Sequence, residues 1–174
     1  FGVGERLITA KSAPVFGGVY KLAAVEDEQG NIIPKIKISE NTAKITNPHY
    51  KKLYRFYDNE SGKALADELC VYDETIDSTK PHTIFDPDAI WKTKTLTNYT
   101  ARELHVTVFK NGELVYKQPS LYEIRIYCAE QLETLWDEVK RFENPHTYYV
   151  DLSKKLWDIK NELLEKSKDG KGLK

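Results

Sequence analysis

Three lysines sit where the pattern around them makes a lysine unusual. Lys21 interrupts Val19-Tyr20-Lys21-Leu22, Lys37 begins Lys37-Ile38-Ser39-Glu40, and Lys44 follows shortly after. An ammonium group in a mostly apolar strand is uncommon unless it meets an anion or a carboxylate, and Ser39 adds a hydroxyl donor beside Lys37. The same residues equally suit a half-exposed sheet from which lysine stems reach water. Near the start of the chain, Gly2 and Gly4 flank Val3. Two glycines remove the Cβ atoms that would keep a ligand off the backbone, so consecutive N–H groups can face a phosphate, although such a turn is more often purely structural. The chemistry on offer is phosphate binding by charge and backbone donors, without a catalyst.

Other chemistries lack their residues. There is no G-x-S-x-G elbow, P-loop or H-E-x-x-H, and Leu7 stands where a dinucleotide fingerprint needs its third glycine. His49, His82, His105 and His146 are dispersed, and each is expected in surface or core packing rather than as a metal ligand. No catalytic residue and no metal ligand is assigned. Trp136 and Trp157 fall on helical faces and read as core, whereas Trp91 fits either core or surface.

The 174 residues are enough for one domain or two small ones, with a core that needs neither disulfide nor metal. Lys and Arg total 26 against 27 Asp and Glu, so the net charge of -1 gives no global field to attract nucleic acid or an anionic membrane. Apolar runs are far shorter than the ~20 residues of a membrane span, and no charged-then-apolar leader opens the chain. Cys70 and Cys128 lie far apart without a C-x-x-C partner, which suits a reducing compartment, and a cytoplasmic protein is expected. Met is absent and residue 1 is Phe, so the chain is expected to be the back part of something larger.

The elements that must position these groups read as α+β, with hairpins and strands followed by a carboxyl-terminal helical pair. Val19 to Val25 suggests a buried strand, and Ile32 to Ile38 completes a hairpin across the polar turn at 26–31. Residues 39–50 form an irregular loop, Leu53 to Tyr57 alternates as a strand, and Asn59 to Gly62 turns into an extended segment near Leu69 to Tyr72. Asp73 to Thr100, with Pro81 and Pro87, reads as a long loop that wraps a surface or reaches a neighbouring subunit. Asn111-Gly112 marks a hairpin between Leu104–Phe109 and Leu114–Tyr116. Ser120 and Glu123 form a capping box ahead of an apolar stripe that predicts one helix to about Arg141. Asn144-Pro145 breaks it, Asp151 or Ser153 caps a second helix, and Lys166 to Lys174 reads as a fraying tail.

In order, FGVGERLIT, PVFGGVYKL, PKIKISENTAKITNPHYKKLYR and ENPHTYYVDLSKKLWDIK resemble the carboxyl-terminal part of bacterial nicotinate phosphoribosyltransferases across essentially the whole chain. The most specific pieces are GVG with RLIT, the G-x-V-Y-K-L strand and the K-x-S-E-x-x-x-K-x-T block. Nicotinamide phosphoribosyltransferases share a shorter echo at Val108 to Gly112 and Glu123 to Arg125.

The resemblance implies that the parent enzyme joins nicotinate to 5-phosphoribosyl 1-pyrophosphate, giving nicotinate mononucleotide and pyrophosphate, with ATP and Mg, in NAD salvage. It implies a β-rich amino-terminal domain, a central α/β barrel and a carboxyl-terminal extension. Residues 1–12 would then end a barrel strand with its phosphate loop, 13–58 would carry strands and the lysine-bearing loop, and 59–174 would form the extension. Gly2, Val3 and Gly4 would hold the ribose 5-phosphate. Lys21, Lys37, Ser39 and Lys44 match positions that gather pyrophosphate or ATP phosphates, often across a dimer interface. Many members have Thr where this chain has Glu5, and Gly where His49 follows Pro48.

The family's phosphorylatable histidine and nicotinate-binding residues lie upstream of residue 1, so the chain alone is expected to be inactive and to hold no cofactor tightly. Residues 1–25, deprived of neighbouring strands, are expected to be disordered or to pair with another copy, making a homo-oligomer. The alternatives are a nicotinamide-using relative, or a non-catalytic assembly module built on the helical pair.

Overall fold

The computed structural model describes residues 18–168. Its centre is a four-stranded sheet. The β3 strand (Lys51–Asp58) runs antiparallel to β4 (Ala64–Val71) on one side and to β7 (Tyr99–Glu103) on the other, while β10 (Val150–Leu152) joins β4 in parallel, in the order β10-β4-β3-β7. The alternation in β3 buries Tyr54 and Phe56, whereas β4 is buried on both faces. Phe56, Ala66, Ile84, Leu96 and Tyr99 make one core cluster, and Val71, Leu152 and Leu156 make a second under the last helix.

Before the sheet stands a small hairpin of β1 (Ala24–Glu26) and β2 (Ile32–Pro34). Asp27 closes its turn by accepting from the Gln29 and Asn31 backbone N–H groups, and Gly30 takes φ +85°. The hairpin expectation holds in shortened form, but the buried strand does not. Val19 is 77% exposed and Tyr20 fully exposed, because only Ala24 to Glu26 find a ladder partner and no further described strand covers the residues before them.

The expected long loop at 73–100 is instead mostly strand. β5 (His82–Asp86) and β6 (Ala89–Leu96) form a hairpin and β7 follows. Its prolines punctuate rather than prevent pairing: Pro81 immediately precedes β5, and Pro87 occupies the turn, where Asp86 accepts from the Asp88 N–H.

The 104–116 hairpin narrows to β8 (Phe109–Lys110) and β9 (Glu113–Leu114), with Asn111 and Gly112 both at positive φ as the turn requires. The capping box is present at Ser120, but α1 (Leu121–Glu133) is shorter than its apolar stripe predicts. The Ala64 N–H and the Lys63 ammonium claim the carbonyls of Thr134, Glu133 and Leu135, so the chain turns there and resumes as the one-turn α2 (Asp137–Lys140). No residue of α1 is buried, and Trp136, expected in the core, is 41% exposed.

In the last helix, α3 (Lys154–Lys168), Ser153 rather than Asp151 caps: its hydroxyl accepts from the Leu156 N–H and donates to Glu74. Asp151 lies in β10 instead. Trp157 packs as expected, its ring edge-on to Phe85 and its indole N–H donating to the Pro87 carbonyl. Lys166 to Lys168, the start of the expected fraying tail, continue the helix, and its residues 169–174 lie outside the described residues.

Candidate functional site

The lysine-bearing loop leaves β2 and returns to β3. Ala23's carbonyl anchors both its ends, accepting from Lys35 N–H at 2.8 Å and His49 N–H at 2.7 Å. A second clasp lies inside the first: Lys37 N–H donates to the Thr46 hydroxyl at 2.9 Å and Thr46 N–H to the Lys37 carbonyl at 3.3 Å. Between them Asn41 caps a 3₁₀ turn over Thr42–Lys44. Lys160 of α3 reaches Asn47 at 2.8 Å and ties the loop to the second core; burial lowers the pKa of this lysine.

On this frame Lys37, Ser39 and Lys44 share one loop. Lys37 and Lys44 are exposed, and Ser39, half-buried, accepts from Asn41 N–H, which leaves its own proton to donate elsewhere. Lys44 stands in the 3₁₀ turn, within the loop expected at 39–50. Lys21 lies on the irregular segment before β1, its ammonium donating to the adjacent Tyr20 carbonyl at 3.1 Å. Gly2, Val3 and Gly4 lie outside the described residues. The placement supplies exposed, mobile-stemmed cations beside a stiffened backbone, suited to meeting an anionic ligand and not to moving protons.

His49 ends the loop with φ +79°, the left-handed region that favours glycine, and stacks on Tyr72 with ring centroids 6.0 Å apart. The other histidines are also placed by packing or backbone contacts. His105 accepts from Leu53 N–H, and His146 is exposed. His82 stacks on Phe56 and pairs with the buried Glu68 at 2.8 Å, a contact that raises its pKa. Among the described residues no cluster of three or more carboxylate, imidazole or thiol groups is arranged to hold a metal ion.

Two buried polar systems escaped the sequence patterns because their members are far apart along the chain. Arg55 grips Asp67 through two bonds of 2.8 and 2.9 Å, and the Tyr148 hydroxyl donates to the same carboxylate at 2.8 Å. The Asp67 bond raises the guanidinium pKa further, and burial raises that of the Tyr148 phenol. Around Glu68, Cys70 and His82 converge on one carboxylate oxygen. Burial, with Glu68 next, holds the Cys70 thiol far above its usual pKa, so this cysteine is protonated and no nucleophile.

These features define a mixed α+β domain with a lysine-bearing loop between its first hairpin and its central sheet. The profile of the nicotinate phosphoribosyltransferase C-terminal domain matches residues 50–160, and the chain belongs to that family. It is 38% identical to the nicotinate phosphoribosyltransferase of Bacillus subtilis (strain 168) over 168 residues, 97% of this chain and 34% of that protein. It is 32% identical to the Caenorhabditis elegans enzyme over 94% of this chain and 28% of that one. The crystal structure of human nicotinic acid phosphoribosyltransferase superposes with a TM-score of 0.62 at 26% identity, covering 68% of this chain and 24% of the human one. The chain therefore spans about a third of the length of the curated relatives it matches.

Proposed function

We propose that this chain is the carboxyl-terminal part of a nicotinate phosphoribosyltransferase, which joins nicotinate to 5-phosphoribosyl 1-pyrophosphate with ATP hydrolysis and releases pyrophosphate, in NAD salvage in the cytoplasm. The observation that carries this reading is the family match, together with similarity to the Bacillus subtilis enzyme over 97% of the chain. The late strand of an α/β barrel, the nicotinate pocket and ATP·Mg chemistry belong to the whole enzyme, and this chain alone is inactive.

Its own contribution is to the phosphates. Lys37, Ser39 and Lys44 on the clasped loop, with Lys21 and the Gly2-Val3-Gly4 backbone, orient the pyrophosphate leaving group and offset its growing charge. Such transfers depend on exactly that kind of positioning and electrostatic stabilisation, which lysines and amide donors supply. The enzyme works as a homo-oligomer, and the exposed apolar side chains of α1 suit an assembly surface.

The test is a Lys37→Ala/Lys44→Ala double variant of the full-length enzyme. The KM for phosphoribosyl pyrophosphate, or the ATP dependence, is expected to worsen about tenfold or more with folding intact, the loss of ~1.4 kcal/mol. Unchanged kinetics with an altered oligomeric mass would instead make the loop an assembly element.

A further inference from the structure

A second feature shares no residue with the lysine loop. A cavity of about 510 Å³ opens between β4, the β5–β6 hairpin, the Trp136–Val139 turn and residues 146–149. That volume falls within the ~300–1,000 Å³ usual for small-molecule sites. Its floor is apolar, made by Ala64, Ala66 and Ile84, all buried.

One polar group stands in that floor. Asp151 is 4% exposed, and nothing among the described residues donates to its carboxyl group or pairs with it. Burial, then Asp86 and Glu68, all push its pKa upward, to about 6, with no opposing contact. A carboxyl group held in an apolar floor without a protein donor is costly, and water or a ligand in the cavity must supply its hydrogen bonds. Trp136, in the same cavity wall, offers a half-exposed indole, and aromatic faces attract cations.

The remaining charged groups bear on the ligand's sign. Asp86 of β5 also lines the cavity and lies 3.8 Å from Lys92 of β6. Lys92, Lys94, Glu138 and His146 also line the cavity and are all exposed. The buried charge in the lining is therefore acidic and the exposed charge mixed, which disfavours an anion beside Asp151.

We propose that this cavity binds a small organic cation with a flat, largely apolar body, its protonated nitrogen donating to the Asp151 carboxylate and its ring lying against Trp136. The probe is benzamidine, titrated into the 174-residue chain at pH 7.5 and followed by tryptophan fluorescence and calorimetry. Saturable binding with a dissociation constant of about 1 mM or tighter is expected, with benzyl alcohol and benzoate much weaker. Asp151→Asn, which removes an unsatisfied charge and so keeps the fold, should weaken binding about tenfold, as loss of a charge-assisted bond does. Trp136→Ala, at an exposed position, should weaken it too. Affinity should fall as the solution is taken below pH about 6.

Absence of saturable binding overturns the proposal, as does unchanged affinity in Asp151→Asn with a native circular dichroism spectrum. The same titration is made on the full-length polypeptide. Binding retained there supports a ligand site; binding lost there means that another part of the polypeptide fills the cavity, and overturns it.

Discussion

His49 shows how one backbone angle constrains one residue. A side chain at φ +79° is strained by about 1 kcal/mol relative to glycine, and here the stack on Tyr72 and the bond from Tyr50 N–H to the imidazole Nδ1 offset that strain. His49→Gly should therefore leave stability within about 1 kcal/mol of the parent, trading contacts for an unstrained backbone. His49→Val should cost about 2 kcal/mol, because a β-branched residue keeps the strain and loses the stack. Thermal unfolding of both variants checks this: equal losses would show that the angle is not what the position selects for. The angle itself could not be read from the sequence.

At the scale of elements, what was legible followed period and punctuation. The Asn111-Gly112 turn, the Ser120 capping box and the alternation of β3 are local codes, read within a few residues, and each stands in the structure. What was hidden depends on partners distant in sequence. The strands at 82–103 looked irregular because their apolar residues are few and their prolines conspicuous; only the pairing of β5 with β6 and of β7 with β3 organises them. The stop of α1 at Glu133 is likewise imposed from outside, by Lys63 and Ala64. For the candidate site, sequence placed Lys37, Ser39 and Lys44 in one block, but their clasp by Thr46 and Ala23 is a tertiary fact.

The Arg55–Asp67–Tyr148 system belongs to this scale because it ties the 141–149 segment to the sheet. Asp67→Ala leaves a half-buried guanidinium without its partner and the Tyr148 hydroxyl without its acceptor, and should cost about 3 kcal/mol. Urea unfolding should show a lower midpoint at unchanged slope. A loss below about 0.5 kcal/mol would mean that the network is relieved by water.

For the molecule as a whole, the buried Asp151 and the half-buried His82 tilt stability in the same direction with pH. Asp151 has its pKa raised from 3.8 to about 6, so its burial carries no charge penalty while both states are protonated, and that penalty grows from about pH 4 until it is complete above pH 6. His82 is raised above 6.5 by Glu68, so its contribution is full below 6.5 and is lost as pH rises through its folded-state value. The exposed carboxylates with lowered values, such as Asp77 at about 2, are ionised throughout this window and leave it unchanged. The melting temperature should therefore fall between pH 5 and pH 8. Asp151→Asn should flatten the lower part of that fall and His82→Gln the upper part, and a melting temperature that rises over the range would contradict both assignments.

The parallel seam between β10 and β4 also sets an order of events. Val150 to Leu152 close the sheet against Asp67 to Leu69, which are made far earlier as the chain emerges from the ribosome. The β3–β4 hairpin, local and antiparallel, can form as soon as it is exposed, but its outer edge stays open until the last helix's cap at Ser153 is synthesised. During that interval β4, buried on both faces in the finished domain, presents an edge of unpaired backbone N–H and C=O groups to the cell. Slow translation through residues 72–149 would lengthen that exposure, so this domain's yield in vivo is tied to how quickly its own ending arrives.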